Sequence, residues 1–320
     1  MVFRPRWPAY CVTRTLLLQL CAMARGAEAN PKGRSKGKVA VITDSSACVP
    51  REVVERYGIH ILPLLLIFED RAYRDGVDIT SREFYELLKK AKKLPTTSSP
   101  SPGEYLQAFS DLGKDAGGIL CITHPPHLGM GFNSATKAKE MAGQSMPELG
   151  ITVFPSRGPA LAAGFIAQAA ARAAAAGQDL DQVVETARDM MNRVNVICVL
   201  DTLYYLAKGG RVPRAAAWAG SLFKIKPILD ATDDVRLLEK CRTRERAMRR
   251  FLEILRQRSE GRPVCVNLMH ANVPEEAEKL KSEILSQFTC LEFYVTDFTP
   301  VIGAHTGPGS IGMAFFSDSR

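Results

Sequence analysis

The first half of the chain alternates short apolar runs with amphipathic helical patterns. Three runs are continuously apolar and rich in β-branched residues, which is typical of strands covered on both faces of a sheet. They are residues 38–43, 118–123 and 151–154. A longer run, 59–68, predicts one further strand, and the polar segment 69–78 after it predicts a turn.

Start and stop signals place helices between these strands. Pro50 opens one that ends at Gly58, and Thr80 with Glu83 forms a capping-box pattern for the next. A third helix begins at Pro102. Strand and helix therefore alternate, which predicts a mostly parallel sheet with flanking helices up to about residue 156.

The second half has a different pattern. Helices are predicted at 160–177, 179–193, 243–258 and 274–287, and strands at 195–200, 263–268, 291–296 and 312–316. Two segments around Asp233 and Asp234, 226–230 and 235–240, read as a hairpin, which favours antiparallel neighbours.

These patterns predict an α/β protein with two domains. The N-terminal domain, 38–156, holds the mostly parallel sheet. The C-terminal domain, 157–320, holds a mixed or antiparallel sheet. Residues 1–37 are predicted to be a disordered basic extension outside both domains.

Charge is unevenly distributed along the 320 residues, whose net charge is +8. Residues 1–38 carry eight Lys or Arg and one Glu, and the remaining residues are nearly neutral, with 34 basic and 33 acidic side chains. The folded part therefore lacks the positive charge typical of nucleic-acid binding, and no nucleic-acid partner is expected. Since no apolar run approaches the roughly 18 residues of a membrane span, no membrane insertion is expected either.

The N-terminal segment has two interpretations. Its basic start, the apolar stretch 15–24 and the small residues around Glu28 follow the outline of a secretory signal. Gln19 interrupts the apolar stretch and Arg25 follows it, which favours a disordered extension or a start codon assigned too early. Eight scattered cysteines without a Cys-x-x-Cys pair predict reduced thiols in a cytoplasmic protein.

The most informative polar segment lies before the helix that begins at Pro102. Four hydroxyl side chains precede it: Thr96, Thr97, Ser98 and Ser99. The unpaired N–H groups and partial positive charge of a helix N-terminus, with such hydroxyls, can hold an anion without a charged side chain. A solvated loop whose Ser and Thr residues only cap and turn is the alternative.

Two glycine-rich segments offer further candidates. His305 lies within 302–312, where glycines let the backbone approach a ligand and the imidazole can donate to a carboxylate or phosphate. A histidine that only caps a turn is the alternative. Lys208 and Arg211 flank two glycines and form a basic tip suited to phosphate or an acidic partner. This tip lacks the P-loop pattern, so a nucleotide site is not predicted.

A metal site is suggested by the spacing of Cys121, His124 and His127. No fourth ligand is evident and Cys121 falls within a predicted buried strand, so no metal is predicted. Asp44 follows the first strand, where α/β sheets usually place ligands. A hydrolase or metal-assisted enzyme that uses Asp44, His124 and His127 stands as the alternative function.

Six segments, taken in order, resemble the DegV family of bacterial fatty-acid-binding proteins. They are VITDSSACVP, TTSSPSPGEY, DTLYYLAKGGRV, LFKIKPILDATDDVRLLEKCRTRERA, HANVPEEAEKL and GAHTGPGSIGMAFF. The resemblance covers residues 38–317. It implies a two-domain α/β fold that binds one long-chain fatty acid, with the carboxylate near the junction of the domains.

The resemblance also implies roles for individual residues. Thr97 and Ser98 match the hydroxyls of the family's Thr-Ser-Gln motif, and His305 matches the histidine of its Gly-Thr-His-x-Gly-Pro-Gly motif. Arg211, with Lys208 beside it, matches a Gly-Gly-Arg loop that is implied to dock a separate fatty-acid kinase. That kinase makes an acyl phosphate for phospholipid synthesis. The expectation is a carrier without chemistry or cofactor of its own; a docking protein without a ligand is another alternative.

One segment departs from the family pattern. The family usually carries Ser-Ser-x-Leu-Ser-Gly-Thr-Tyr after the third strand, where the serine after leucine helps to bind the carboxylate. Here residues 124–132 read HPPHLGMGF, so Gly129 replaces this serine and Gly131 the threonine. The resemblance therefore places the head group beside Gly129, where backbone N–H groups or His127 would have to replace the missing hydroxyls.

Overall fold

Two large sheets and one small sheet form the framework of the fold. A computed structural model describes residues 37–158, 161–212, 215 and 225–317. The described strands are β1 (Val39–Asp44), β2 (His60–Leu62), β3 (Leu65–Phe68), β4 (Arg71–Arg74), β5 (Thr96–Ser98), β6 (Gly118–Thr123), β7 (Ile151–Pro155), β8 (Asn195–Val199), β9 (Lys226–Asp230), β10 (Arg236–Cys241), β11 (Val264–His270), β12 (Cys290–Asp297) and β13 (Ile311–Ser317).

Helices connect these strands. The described α-helices are α1 (Arg51–Tyr57), α2 (Ser81–Lys90), α3 (Pro102–Gly113), α4 (Gly131–Ser145), α5 (Leu161–Ala175), α6 (Leu180–Arg193), α7 (Tyr204–Lys208), α8 (Arg244–Ser259), α9 (Pro274–Gln287) and α10 (Pro300–Thr306). The predicted capping boxes form at the start of α2, where Thr80 bonds Glu83, and of α3, where Ser101 bonds Glu104.

The first large sheet is entirely parallel. Its strand order is β2-β1-β6-β7, and β1 pairs with β6 so that Val39 lies opposite Gly118. Ile42, Leu120 and Ile122 are completely buried, because helices cover both faces of the sheet. The predicted parallel sheet with flanking helices is confirmed.

The second large sheet is mixed. Its order is β10-β9-β8-β13-β11-β12, in which β11 and β12 are parallel and every other pair of neighbours is antiparallel. The predicted hairpin is the β9–β10 pair. The α/β fold class predicted from the sequence is therefore confirmed for both sheets.

The small sheet corrects two predictions. Segment 59–68 is not one strand: β2 joins the parallel sheet, whereas β3 pairs with β4 and β5 in the small antiparallel sheet. Pro63 lies at the break, where its missing N–H cannot continue a ladder. Segment 69–78 is also more than a turn, because it contains the polar edge strand β4.

Helix α5 packs on β1 and β6 of the parallel sheet and on β8 and β13 of the mixed sheet. Its alanines allow this close approach to both sheets, and twelve of its fifteen residues are buried. The domain boundary near residue 156 stays a prediction. The predicted extension lies almost wholly outside the described residues, which begin at Gly37.

Among the described residues, no helix combines the length and apolar character needed to cross a bilayer.

Candidate functional site

Thr97 and His305 are brought together by the small sheet and the last helix. Strand β5 pairs with β3, with Thr97 opposite Leu66. Pro300 starts α10, and His305 stands in its last turn. The Thr97 Oγ1 and His305 Nε2 atoms are 2.9 Å apart, within hydrogen-bond distance. Two polar groups that are 208 positions apart in the sequence thus form a pair.

The imidazole of His305 is held neutral. Burial, together with the smaller effect of the nearby positive charge of Arg211, lowers the pKa of His305 to about 4. A neutral imidazole offers one donor and one acceptor nitrogen. His305 therefore supplies a polar group to the site without adding a positive charge at neutral pH.

Arg211 connects the glycine-rich basic tip to β5. Its Nη2 donates to the Thr97 carbonyl oxygen at 3.0 Å, and its Nη1 donates to the Gly209 carbonyl oxygen at 3.4 Å. Arg211 itself is exposed. The structure thus places the guanidinium on the surface directly beside the Thr97–His305 pair.

These residues line a cavity of about 530 Å³, a volume typical of small-molecule sites. Its polar lining consists of Ser46, Thr97, Ser98, Ser99, His124, His127, Arg211, His305 and Thr306. The rest of the wall is mostly aliphatic and includes Leu64, Leu161, Leu200, Leu206, Leu229, Val235 and Ile302. The site is an apolar chamber with a cluster of polar groups around Thr97.

The wall of the chamber includes Cys198, which is 5% exposed on β8. Burial raises the pKa of this thiol to about 12, so the sulfur remains protonated and behaves as a small apolar side chain. Of the described cysteines, Cys48, Cys121, Cys198 and Cys241 are free and buried, and Cys290 is free and half-buried.

A second polar pair, Asp44 and His124, lies at the carboxyl end of the parallel strands. Asp44 ends β1, and its Oδ1 accepts hydrogen bonds from the backbone N–H and the hydroxyl of Ser46. His124 directly follows β6, and its Nδ1 is 3.1 Å from Asp44 Oδ2. Parallel neighbours β1 and β6 place these two residues side by side because strand ends meet at one edge.

The spacing of Cys121, His124 and His127 does not produce a cluster. Cys121 is buried within β6, and His127 is exposed, with its Nε2 4.0 Å from Asp234 Oδ1. No group of three potential metal ligands occurs among the described residues. Within the same residues, no hydrogen bond joins His124 Nε2 to a hydroxyl that would serve as a nucleophile.

Five of the six predicted site residues line the same cavity: Thr97, Ser98, Gly129, Arg211 and His305. Lys208 is exposed on α7 and does not contribute to the lining. Sequence reasoning grouped Asp44 with His124 only in the alternative enzyme, and it missed Ser46 and the direct bond between the two side chains. The polar turn after β1 was the available signal, but the partner of Asp44 lies 80 positions away.

A family model described as an uncharacterised protein of the DegV family matches residues 38–318. The chain belongs to the DegV family. The match includes every strand of both large sheets and every residue that lines the cavity.

Relatives within the DegV family agree over the same region. Protein DegV of Bacillus subtilis is 35% identical over 280 residues, which are 87% of this chain and 98% of the relative. The crystal structure of DegV from Bacillus subtilis, described as a fatty acid binding protein, superposes with a TM-score of 0.80 at 33% identity, covering 88% of this chain and all of that one. A DegV family protein from Thermus thermophilus, whose structure is described by its fatty acid binding, also has a TM-score of 0.80, at 26% identity, with the same shares covered.

Proposed function

We propose that this chain binds one long-chain fatty acid and presents it to a fatty-acid kinase, which forms an acyl phosphate for phospholipid synthesis. The carboxylate binds beside Thr97, Ser98 and His305, and the acyl chain occupies the aliphatic part of the cavity. The protein contributes no chemistry or cofactor of its own. The observation that carries the proposal is the single chamber that combines an aliphatic wall with the Thr97–His305 pair.

The acyl chain and the carboxylate of the proposed ligand contribute differently to the binding free energy. About 14 methylenes at ~0.8 kcal/mol each give roughly 11 kcal/mol of transfer free energy. Association removes several kcal/mol of this, and each hydrogen bond to a carboxylate adds ~1.5–3 kcal/mol. The aliphatic wall therefore supplies most of the affinity, and the polar pair fixes which end of the ligand lies at Thr97.

The position of Arg211 supports presentation to a partner. The guanidinium is exposed, yet it bonds the backbone of the residue that holds the head group. A kinase that recognises this surface would have the carboxylate within reach. The free thiols support a reducing compartment, and we place the function in the cytoplasm.

The test is ligand identification followed by two substitutions. Mass spectrometry of the denatured purified protein is expected to find a long-chain fatty acid. Thr97→Ala with His305→Ala is expected to weaken palmitate binding about 10- to 100-fold, because hydrogen bonds to the carboxylate are lost. Thr136→Ala, which removes a hydroxyl bonded to the Phe132 carbonyl oxygen in α4, serves as the matched control. A wild-type protein that neither carries nor takes up an acyl ligand would refute the proposal.

A further inference from the structure

The imidazole of His124 occupies space that side chains at two glycines would otherwise fill. A Cβ atom built on Gly129 would lie 2.6 Å from His124 Nε2, and one built on Gly131 would lie 2.6 Å from His124 Cε1. Neither glycine has a positive φ, so backbone conformation does not require glycine at either position. The glycines are explained by the room that the imidazole needs.

Asp44 fixes the orientation of this imidazole. The Asp44 side chain is 2% exposed and that of His124 is 8% exposed, with Nδ1 donating to Asp44 Oδ2 at 3.1 Å. The backbone N–H and hydroxyl of Ser46 hold the other carboxyl oxygen. Because Nδ1 is hydrogen-bonded to Asp44, the other ring nitrogen, Nε2, lies on the side of the imidazole away from Asp44.

That second nitrogen has no protein partner. Among the described residues, Nε2 of His124 makes no hydrogen bond, although the side chain is more than nine-tenths buried. His124 lines the same cavity as Thr97 and His305. The Oγ of Ser99 lies 3.3 Å from the Cβ position of Gly129, so Nε2 stands among the polar groups of the chamber. Nε2 is not among the fully buried unpaired atoms of the described residues, so it keeps some access to the chamber that His124 lines. Its hydrogen-bonding capacity is therefore available to a ligand in that chamber.

We propose that His124 Nε2 is a binding group for the ligand's carboxyl head, with Asp44 as its positioning residue and Gly129 and Gly131 as the glycines that admit it. The assignment rests on the fatty-acid function proposed above. A neutral ring that donates Nδ1–H to Asp44 accepts at Nε2 from a protonated acid, and a protonated ring donates to a carboxylate. In both states one proton lies between Nε2 and the ligand oxygen. A fatty acid can supply or accept this proton, whereas its ester can only accept it, so the acid is expected to bind more tightly.

Removal of the imidazole is the first test. His124→Ser is expected to weaken palmitate binding about 10- to 100-fold and methyl palmitate binding by less than about threefold. A residue that only fills space would affect the acid and the ester alike. His60→Ser, at an exposed histidine outside the cavity, is the matched control and is expected to change neither affinity.

The fit between His124 and Gly129 gives a sharper test. Gly129→Ser alone is expected to weaken palmitate binding, since its Cβ would displace Nε2. In the His124→Ser background, Gly129→Ser has room and adds a hydroxyl, so it is expected to strengthen binding. The same substitution then has opposite signs in the two backgrounds. Gly143→Ser, in the helix α4 that follows Gly129, is the control, because nothing lies within 4 Å of its Cβ position.

A measurement on the wild-type protein tests the proposal even if the variants do not fold. The chain has five histidines, which makes assignment of their ring nitrogens by NMR practicable. Addition of palmitate is expected to shift the His124 Nε2 resonance while the signature of the Nδ1–Asp44 bond persists. Palmitate binding with no change at Nε2, or with equal acid and ester losses in His124→Ser, overturns the inference and leaves the proposed function standing. Absence of palmitate binding in the wild type refutes the proposed function itself.

Discussion

Position 209 has room for no side chain at all. A Cβ there would overlap His305 Nδ1 and lie 3.1 Å from the Tyr205 carbonyl oxygen. The backbone of Gly209, with φ of −67°, is one that any residue adopts, so the requirement is spatial. Gly210 has the opposite character, because its φ is +68° and nothing lies within 4 Å of its Cβ position.

These neighbouring glycines predict opposite phenotypes. Gly209→Ala is expected to push His305 away from Thr97 and to weaken palmitate binding about tenfold. Gly210→Ala is expected to lower stability by about 1 kcal/mol through backbone strain while affinity is retained. Isothermal titration and thermal unfolding of both variants check this contrast. Equal affinities in the two variants would contradict the spatial explanation.

His305 also predicts a dependence of stability on pH. Its pKa is about 4 in the folded protein, because burial disfavours the imidazolium, whereas an unfolded histidine has a pKa near 6.5. As pH falls from about 6.5 towards 4, the unfolded chain binds a proton that the folded protein does not, so stability is lost.

Comparison with His305→Gln isolates this contribution. Between pH 7.5 and pH 5, the free energy of unfolding of the wild type is expected to fall by about 1–2 kcal/mol more than that of the variant. Burial raises the pKa of Asp75 to about 6, which acts in the opposite direction over part of this range, but Asp75 is present in both proteins. Chemical denaturation at the two pH values measures the difference. Parallel pH profiles would contradict a buried neutral His305.

At the scale of elements, the sequence located long, strongly patterned helices and strands within a few residues. The sequence patterns did not predict the strands β4 and β5, which are four and three residues long and mostly polar. Both are strands because β3 lies between them and pairs with each. The sequence patterns also placed His305 in a glycine-rich loop, whereas the segment forms α10. Local pattern cannot reveal an element whose stability comes from a partner distant in sequence.

The mixed sheet supplies part of the chamber wall through β8 and β9, which carry Cys198 and Leu229. Cys198→Phe is expected to reduce the space for methylenes and to weaken palmitate binding tenfold or more, since each excluded methylene forfeits ~0.8 kcal/mol. Octanoate, which needs less room, is expected to lose less. Cys290→Phe is the matched control, at a half-buried cysteine outside the cavity. Binding measurements with both acids check the prediction, and equal losses for the two chain lengths would contradict it.

At the scale of the whole molecule, family resemblance predicted which distant residues share one site, and periodicity could not. The patterns of hydrophobic residues predicted both sheets, but nothing in them indicates that β5 and α10 meet. The motif order placed Thr97 and His305 in one site, and the structure joins them. Neither periodicity nor family resemblance could predict that His124 packs against Gly129 and Gly131. The reason for a glycine at these positions is visible only when the residue beside it in space is known.

If the chain binds a fatty acid and docks a kinase as proposed, the Arg211–Thr97 bond can link the two events thermodynamically. An acidic group of the proposed partner that takes the Nη2 donor of Arg211 displaces the Thr97 carbonyl oxygen from it. Because that oxygen belongs to β5, which also carries the Thr97 hydroxyl, docking of this kind is expected to change the affinity for the proposed fatty acid. By reciprocity, the fatty acid must then change the affinity for the docking partner by the same factor.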